Sequence, residues 1–157
     1  MKNIFSPTLQ SYSPSRVLVL VFATIITQWE SITVEMDQPR WSIKQGVYGK
    51  VARVRTASDL GTITLTLPQT ASSNMYMAVN EALTSAEFGI DTVIPIAITD
   101  LWGGSLHVMP KATIISKPSV TYGKAPASRS WKLRGNITVN SINVRNMITS
   151  MSDMLGL

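Results

Sequence analysis

From Gly61 to Leu67 threonine alternates strictly with large aliphatic residues: Thr62, Thr64 and Thr66 against Ile63, Leu65 and Leu67, until Pro68 ends the run. A period of two places successive side chains on opposite faces of an extended strand, so this stretch has one face of hydrocarbon and one of hydroxyls. Such a strand suits an antiparallel sheet that is packed on one side and wet on the other. The theme recurs near the other end of the chain. There Trp131, Leu133, Ile137 and Val139 fall on one side of an extended segment, and Lys132, Arg134, Asn136 and Thr138 on the other.

Further strands are predicted over 16–27, 31–35, 50–56, 93–99, 105–109, 112–122 and 130–140, with turn residues between them. Pairing 51–56 with 62–67 around the turn 57–60, Thr56 opposite Gly61, predicts a hairpin. Its polar face would hold Arg53, Arg55, Thr62, Thr64 and Thr66, and its apolar face Ala52, Val54, Ile63, Leu65 and Leu67. One helix interrupts the strands, over about 70–87. Thr70, Ser72 or Ser73 caps it, Met75, Val79, Ala82 and Leu83 share a face, and Gly89 closes it. The fold class is mainly β: an antiparallel β-sandwich or half-barrel with one flanking α-helix.

A chain of 157 residues is one domain's worth, here with a core at about 14–140, a long loop at 37–50 and a C-terminal extension at 141–157. Only 15% of its residues are charged, and a charge-poor surface fits contact with other protein. The net charge of +5 is uneven, because the seven cations between Asp100 and Asp153 stand without an acid. Such asymmetry suits either a polyanion partner or a solvated basic surface. There is no cysteine, hence no disulfide and no thiolate metal site. The apolar run from Val17 to Ile26 is too short to span a bilayer, its Val/Ile/Thr content favours a strand, and no signal-peptidase site follows. A soluble chain, made and kept in the cytoplasm, is expected.

Catalytic hardware is scarce. His107 is the only histidine, which argues against a histidine triad or a multi-histidine metal site. Glu30, Glu35 and Asp37 follow the spacing of a solvent face rather than of a paired acid and base. The glycines of LWGGSLH have neither P-loop nor dinucleotide-binding spacing. No catalytic residue, cofactor or metal is expected, and the chain is not expected to be an enzyme.

Several blocks in order, SYSPSRVLVLVFATIIT, ARVRTASDLGTITLTLPQTASSN, ITDLWG and KPSVTYGK followed by SRSWKLRGNITV, resemble the tail tube proteins of contractile-tailed bacteriophages, whose fold is shared with the type VI secretion tube protein Hcp. The resemblance covers roughly residues 11–140. It implies a virion protein, synthesised in the bacterial host cytoplasm, whose homohexameric rings close a β-barrel and stack into a tube through which DNA is ejected. The partners it implies are the tail sheath, the tape measure protein, the baseplate and the tail terminator, with transient passage of double-stranded DNA and no membrane anchor. On this reading the 37–50 loop reaches the neighbouring ring, with Trp41 and Tyr48 as anchors and Ile43, Lys44 and Val47 beside them. Arg53, Arg55, Thr62, Thr64 and Thr66 are then candidates for the lumen wall, unless that polar face looks outward to the sheath. Beyond the resemblance, Val144, Met147, Ile148, Met151, Met154 and Leu155 stand at helical spacing, an adaptable stripe for docking on a neighbour, on the sheath or on the chain's own sandwich. Two other functions remain open: a tail completion or baseplate-hub ring of the same fold, and a basic β-sandwich that binds nucleic acid. Against the second, Trp29, Trp41, Trp102 and Trp131 are scattered and form no stacking platform among the cations.

Overall fold

Antiparallel strands make up most of the structure, a computed structural model that describes residues 13–84, 93–101, 103–142 and 154–156. After a 3-10 turn at Pro14–Arg16 come β1 (Val17–Val21), β2 (Thr24–Ile26), β3 (Ser31–Met36), β4 (Trp41–Gln45), β5 (Val51–Arg55) and β6 (Leu60–Pro68). The helix α1 (Ser73–Thr84) follows, then β7 (Ile94–Asp100), β8 (Ser105–Ser116), β9 (Ser128–Asn136) and β10 (Val139–Ser141). Among the described residues one antiparallel sheet runs β2-β1-β7-β8-β9-β6-β3, with β10 added on β8, while β4 and β5 pair only with each other.

β6 does what its alternation requires. Ile63, Leu65 and Leu67 are fully buried, and the threonines between them lie half-buried on the opposite face. Trp131 and Leu133 of β9 are buried directly across from Leu65 and Ile63. Val19 and Val21 of β1, with Ile94, Ile96 and Ile98 of β7, belong to the same apolar cluster. The sheet therefore curls until its two halves face each other across one core. Two register shifts in β8 accompany the curl, one beside Pro95 and Pro110 and one at Ile115. Bulges bend a strand and tolerate the amide that proline lacks. This is why β8 passes through Pro110 as a single strand, where two strands were predicted. It ends at Ser116, so the predicted continuation to 122 is not formed. Among the described residues the sheet does not close, and β2 and β3 are its edges.

Further expectations need correction, among them the single strand over 130–140, which is β9 followed after a break by β10. The stretch 16–27 is not one strand but a tight β1–β2 hairpin with Val21 opposite Thr24. Phe22 turns it with φ of 56°, a region rare for an aromatic residue, and its amide donates to the Pro95 carbonyl at 2.7 Å. The β5–β6 hairpin is absent, because β6 spends its two edges on β3 and β9, and β5 takes β4 instead. Ala52 and Val54 are accordingly exposed rather than part of the core. Finally, the helix packs on a different face from the one predicted. Met77 and Asn74 are buried and the Tyr76 hydroxyl reaches the Val21 carbonyl at 3.2 Å, while Met75, Val79 and Leu83 are 75%, 49% and 39% exposed. The part of the predicted helix after Thr84, with Gly89, lies outside the described residues.

Asn74 fixes that docking. The Trp131 indole N–H donates to its Oδ1 at 3.0 Å, and its Nδ2 donates to the Pro68 carbonyl at 2.6 Å. An indole N–H only donates and a proline carbonyl only accepts, so a group with both functions is required between them. Among the described residues Asn74 is the only buried polar side chain.

Candidate functional site

The hydroxyl face is wider than one strand. Across β3, β6 and β9 the register aligns Ser31, Thr66 and Ser130, then Thr33, Thr64 and Lys132, then Glu35, Thr62 and Arg134, with Thr113 of β8 beside Arg134. These side chains point away from the core, since their strand neighbours are the buried ones in β6 and β9 and the partly buried Ile32, Val34 and Met36 in β3. The Thr66 and Ser130 hydroxyls are 3.0 Å apart, Ser128 donates to the Glu30 carboxylate, and Arg134 forms an ion pair with Asp37. The face thus carries short hydroxyl side chains along β6, flanked by Glu35, by Lys132 and by an arginine that is matched by an acid. Glu30, Glu35 and Asp37 do not converge into an acid–base pair: Glu30 engages Ser128 and Asp37 engages Arg134.

Arg53 and Arg55 are not on this face. They lie on the separate β4–β5 sheet, opposite Ile43 and Trp41, and the Arg53 guanidinium stacks 4.0 Å above the Trp41 ring. The segment 37–50, expected as loop, supplies β4 and the turn of this hairpin. Gly49, at φ of 76°, closes the turn by donating to the Gly46 carbonyl at 3.0 Å. At the base, Thr56 is held by the Arg40 and Pro39 carbonyls, at 2.8 and 2.7 Å. The hairpin is largely bare: Ile43 is 73% exposed, Val51 64%, and Val47 and Tyr48 almost wholly so. A two-stranded ribbon is marginal by itself in water, and such a display of hydrocarbon needs a cover. Arg40, Lys44, Lys50, Arg53 and Arg55 also give the segment five cations with no acid between them, a run that was visible in the sequence.

Of the C-terminal stripe, Val144, Met147, Ile148 and Met151 lie outside the described residues, whereas Met154 and Leu155 are exposed. Trp102 also lies outside them. His107 is placed in the sheet with Nδ1 2.8 Å from the Asn140 side-chain oxygen. Among the described residues no group of acids and histidine is arranged to hold a metal ion, and no helix is long and apolar enough to cross a membrane.

The sequence profile of the Bacteriophage PhiTE tail tube protein family matches residues 25–151, most of the chain. The chain belongs to this tail tube family. Membership gives it a structural role in a tail tube. No curated protein matches it. Solved structures of contractile injection systems share the fold of this tail tube protein. It is similar to a chain of the PVC extracellular contractile injection system sheath-tube complex in the extended state, with TM-score 0.56 and 15% identity over 86% of this chain and 93% of that one. A chain of the PVC sheath/tube terminator is similar with TM-score 0.55 and 16% identity, over 83% and 96% of the two chains. A chain of the anti-feeding prophage cap, which terminates the tube, gives TM-score 0.53 and 15% identity over 90% and 100%.

Proposed function

We propose that this chain assembles as homohexameric rings that stack into the inner tube of a contractile phage tail, and that DNA leaves the virion through the bore. The observation that carries this reading is the hydroxyl face of β3, β6 and β9, together with family membership. A bore lined by threonine and serine stays wet without holding the passing phosphate backbone, whereas dense cations would retard it by counterion release. Arg53 and Arg55 lie on the hairpin and Arg134 is paired with Asp37, so Lys132, opposite Thr64, is the one cation among the described residues of this face without an acid, and Thr62, Thr64 and Thr66 suit a wall that is not densely cationic. Joining the β2 and β3 edges of successive subunits would close the open sheet into a barrel and remove edges that otherwise invite uncontrolled pairing.

The bare β4–β5 hairpin is the part that reaches the adjacent ring, with Trp41, Ile43, Lys44, Val47 and Tyr48 as its contact residues. Sheath, tape measure protein, baseplate and terminator are the partners such a tube meets in a virion; the chain is synthesised in the bacterial host cytoplasm and performs no catalysis. A second reading, a ring that ends the tube, is favoured by the likeness to the terminator and cap chains. Native mass measurement of protein incubated with assembled baseplate as nucleus tests the proposal. Hexamers and their multiples are expected for a tube and a single ring for a terminator; monomer alone would refute both.

A further inference from the structure

Where the sheet curls, β3 faces the ends of β1, β7 and β8 across an open cavity of about 350 Å³. Val17, Trp29, Ile32 and Ile98 give it apolar walls, Glu30 and Asp100 are its carboxylates, and among the described residues neither lysine nor arginine lines it. We propose that this cavity is the socket for the β4–β5 hairpin of a second copy of the chain, with Val47 and Tyr48 entering it and the hairpin cations meeting its carboxylates. The inference rests on the stacking reading above and supplies what that reading lacks, the surface that receives the hairpin.

Three observations converge on this occupant. The tip carries Val47 at 99% and Tyr48 at 95% exposure, an aliphatic and an aromatic side chain held out on a hydrogen-bonded turn. Aromatic anchors seated in pockets carry much of the energy of protein interfaces, and the cavity has the size of sites that enclose such groups. Charge is complementary: five cations and no acid between Arg40 and Arg55 stand against two carboxylates, Asp100 and the Ser128-bonded Glu30, and, among the described residues, no cation in the cavity. That pairing selects the partner and its register. Placement is suitable too, since the cavity lies along Trp29 to Val34, whereas the hairpin leaves beyond Met36, at the other end of β3. A projection at one place fitting a recess at another is a heterologous contact, which propagates from copy to copy instead of closing a dimer.

The test uses the absence of native cysteine. Tyr48→Cys and Ser105→Cys are each co-assembled as a minority with wild-type subunits, so that unmodified protein carries the assembly, and are treated with a short bismaleimide. A cross-linked dimer is expected when both variants are present. It should be lost when Thr113→Cys, on the hydroxyl face, replaces Ser105→Cys. Stacked tubes that yield no Tyr48–Ser105 dimer would overturn the socket and leave the stacking reading standing. A Tyr48→Cys/Ser105→Cys double variant that cross-links only within one chain would assign the cavity to the subunit's own hairpin, and also overturns the proposal. Wild-type protein that never stacks on a baseplate nucleus would remove the stacking reading and the socket together.

Discussion

Replacing Asn74 by alanine tests how the helix is held to the sheet. Besides a long contact of 3.5 Å to the Gln69 carbonyl, the hydrogen bonds to Pro68 and Trp131 vanish, with unequal consequences. The Pro68 carbonyl still accepts from the Ala71 amide at 3.0 Å, so there the loss is one bond, about 1 kcal/mol. Among the described residues the Trp131 indole N–H has no other acceptor, and Trp131 is 3% exposed, so the donor is stranded at a cost of about 1–3 kcal/mol. Alanine is the better helix former by up to about 0.7 kcal/mol, which offsets part of this. The net expectation is a destabilisation of about 2–3 kcal/mol, or a fall in Tm of roughly 5–10 °C for a domain of this size. Thermal and urea melts of the unassembled subunit, followed by circular dichroism, read it directly. A loss below about 0.5 kcal/mol would refute the claim that Asn74 docks the helix.

Asn74→Asp adds a pH signature. The carboxylate still accepts from Trp131 but has no proton to give Pro68, and its burial raises the folded-state pKa above the value of about 3.9 in the unfolded chain. The variant should therefore be most stable below pH of about 4 and lose that stability as pH rises through the raised value.

Gly135 lies in the middle of the sheet, where an added Cβ would sit 2.2 Å from the Lys111 carbonyl oxygen. Gly135→Ala should thus cost about 3 kcal/mol in urea melts, while Gly46→Ala, with its nearest contact at 3.7 Å, stays within about 0.5 kcal/mol. Trp41→Ala removes the platform under Arg53 from a hairpin that belongs to a separate sheet. Its subunit should keep its melting temperature, while ring stacking weakens by about 2 kcal/mol, read as shorter tubes in micrographs. In assembled tubes Thr64→Cys should react readily with a small maleimide and slowly with a bulky one; equal rates would place the threonine face on the outside.

How far the sequence carries can be judged strand by strand. Ile63, Leu65, Leu67, Trp131 and Leu133 were legible as core because a half-buried strand writes its environment into its own alternation. Which strands pair is not written locally. The β5 segment looks as suitable for β6 as for β4, and the choice was decided by β9, more than sixty residues later, occupying the β6 edge. The Phe22 turn was hidden because no glycine or asparagine marks it; its amide is held by Pro95, distant in sequence. The helix misled for a related reason. Periodicity detects apolar faces without saying what covers them, and the Met75, Val79 and Leu83 face is left uncovered by the subunit's own core. The separation of the hairpin arginines from the threonine wall, and the cavity between β3 and β7, arise only once the sheet has curled.

Electron cryo-microscopy of protein assembled on baseplates addresses the central claim most directly. The account predicts a hollow tube of stacked six-subunit rings, with Thr62, Thr64 and Thr66 facing the bore and the β4–β5 hairpin spanning to the adjacent ring. Compact particles without a channel, or a tube whose bore is lined by any surface other than the β3, β6 and β9 hydroxyl face, would contradict it.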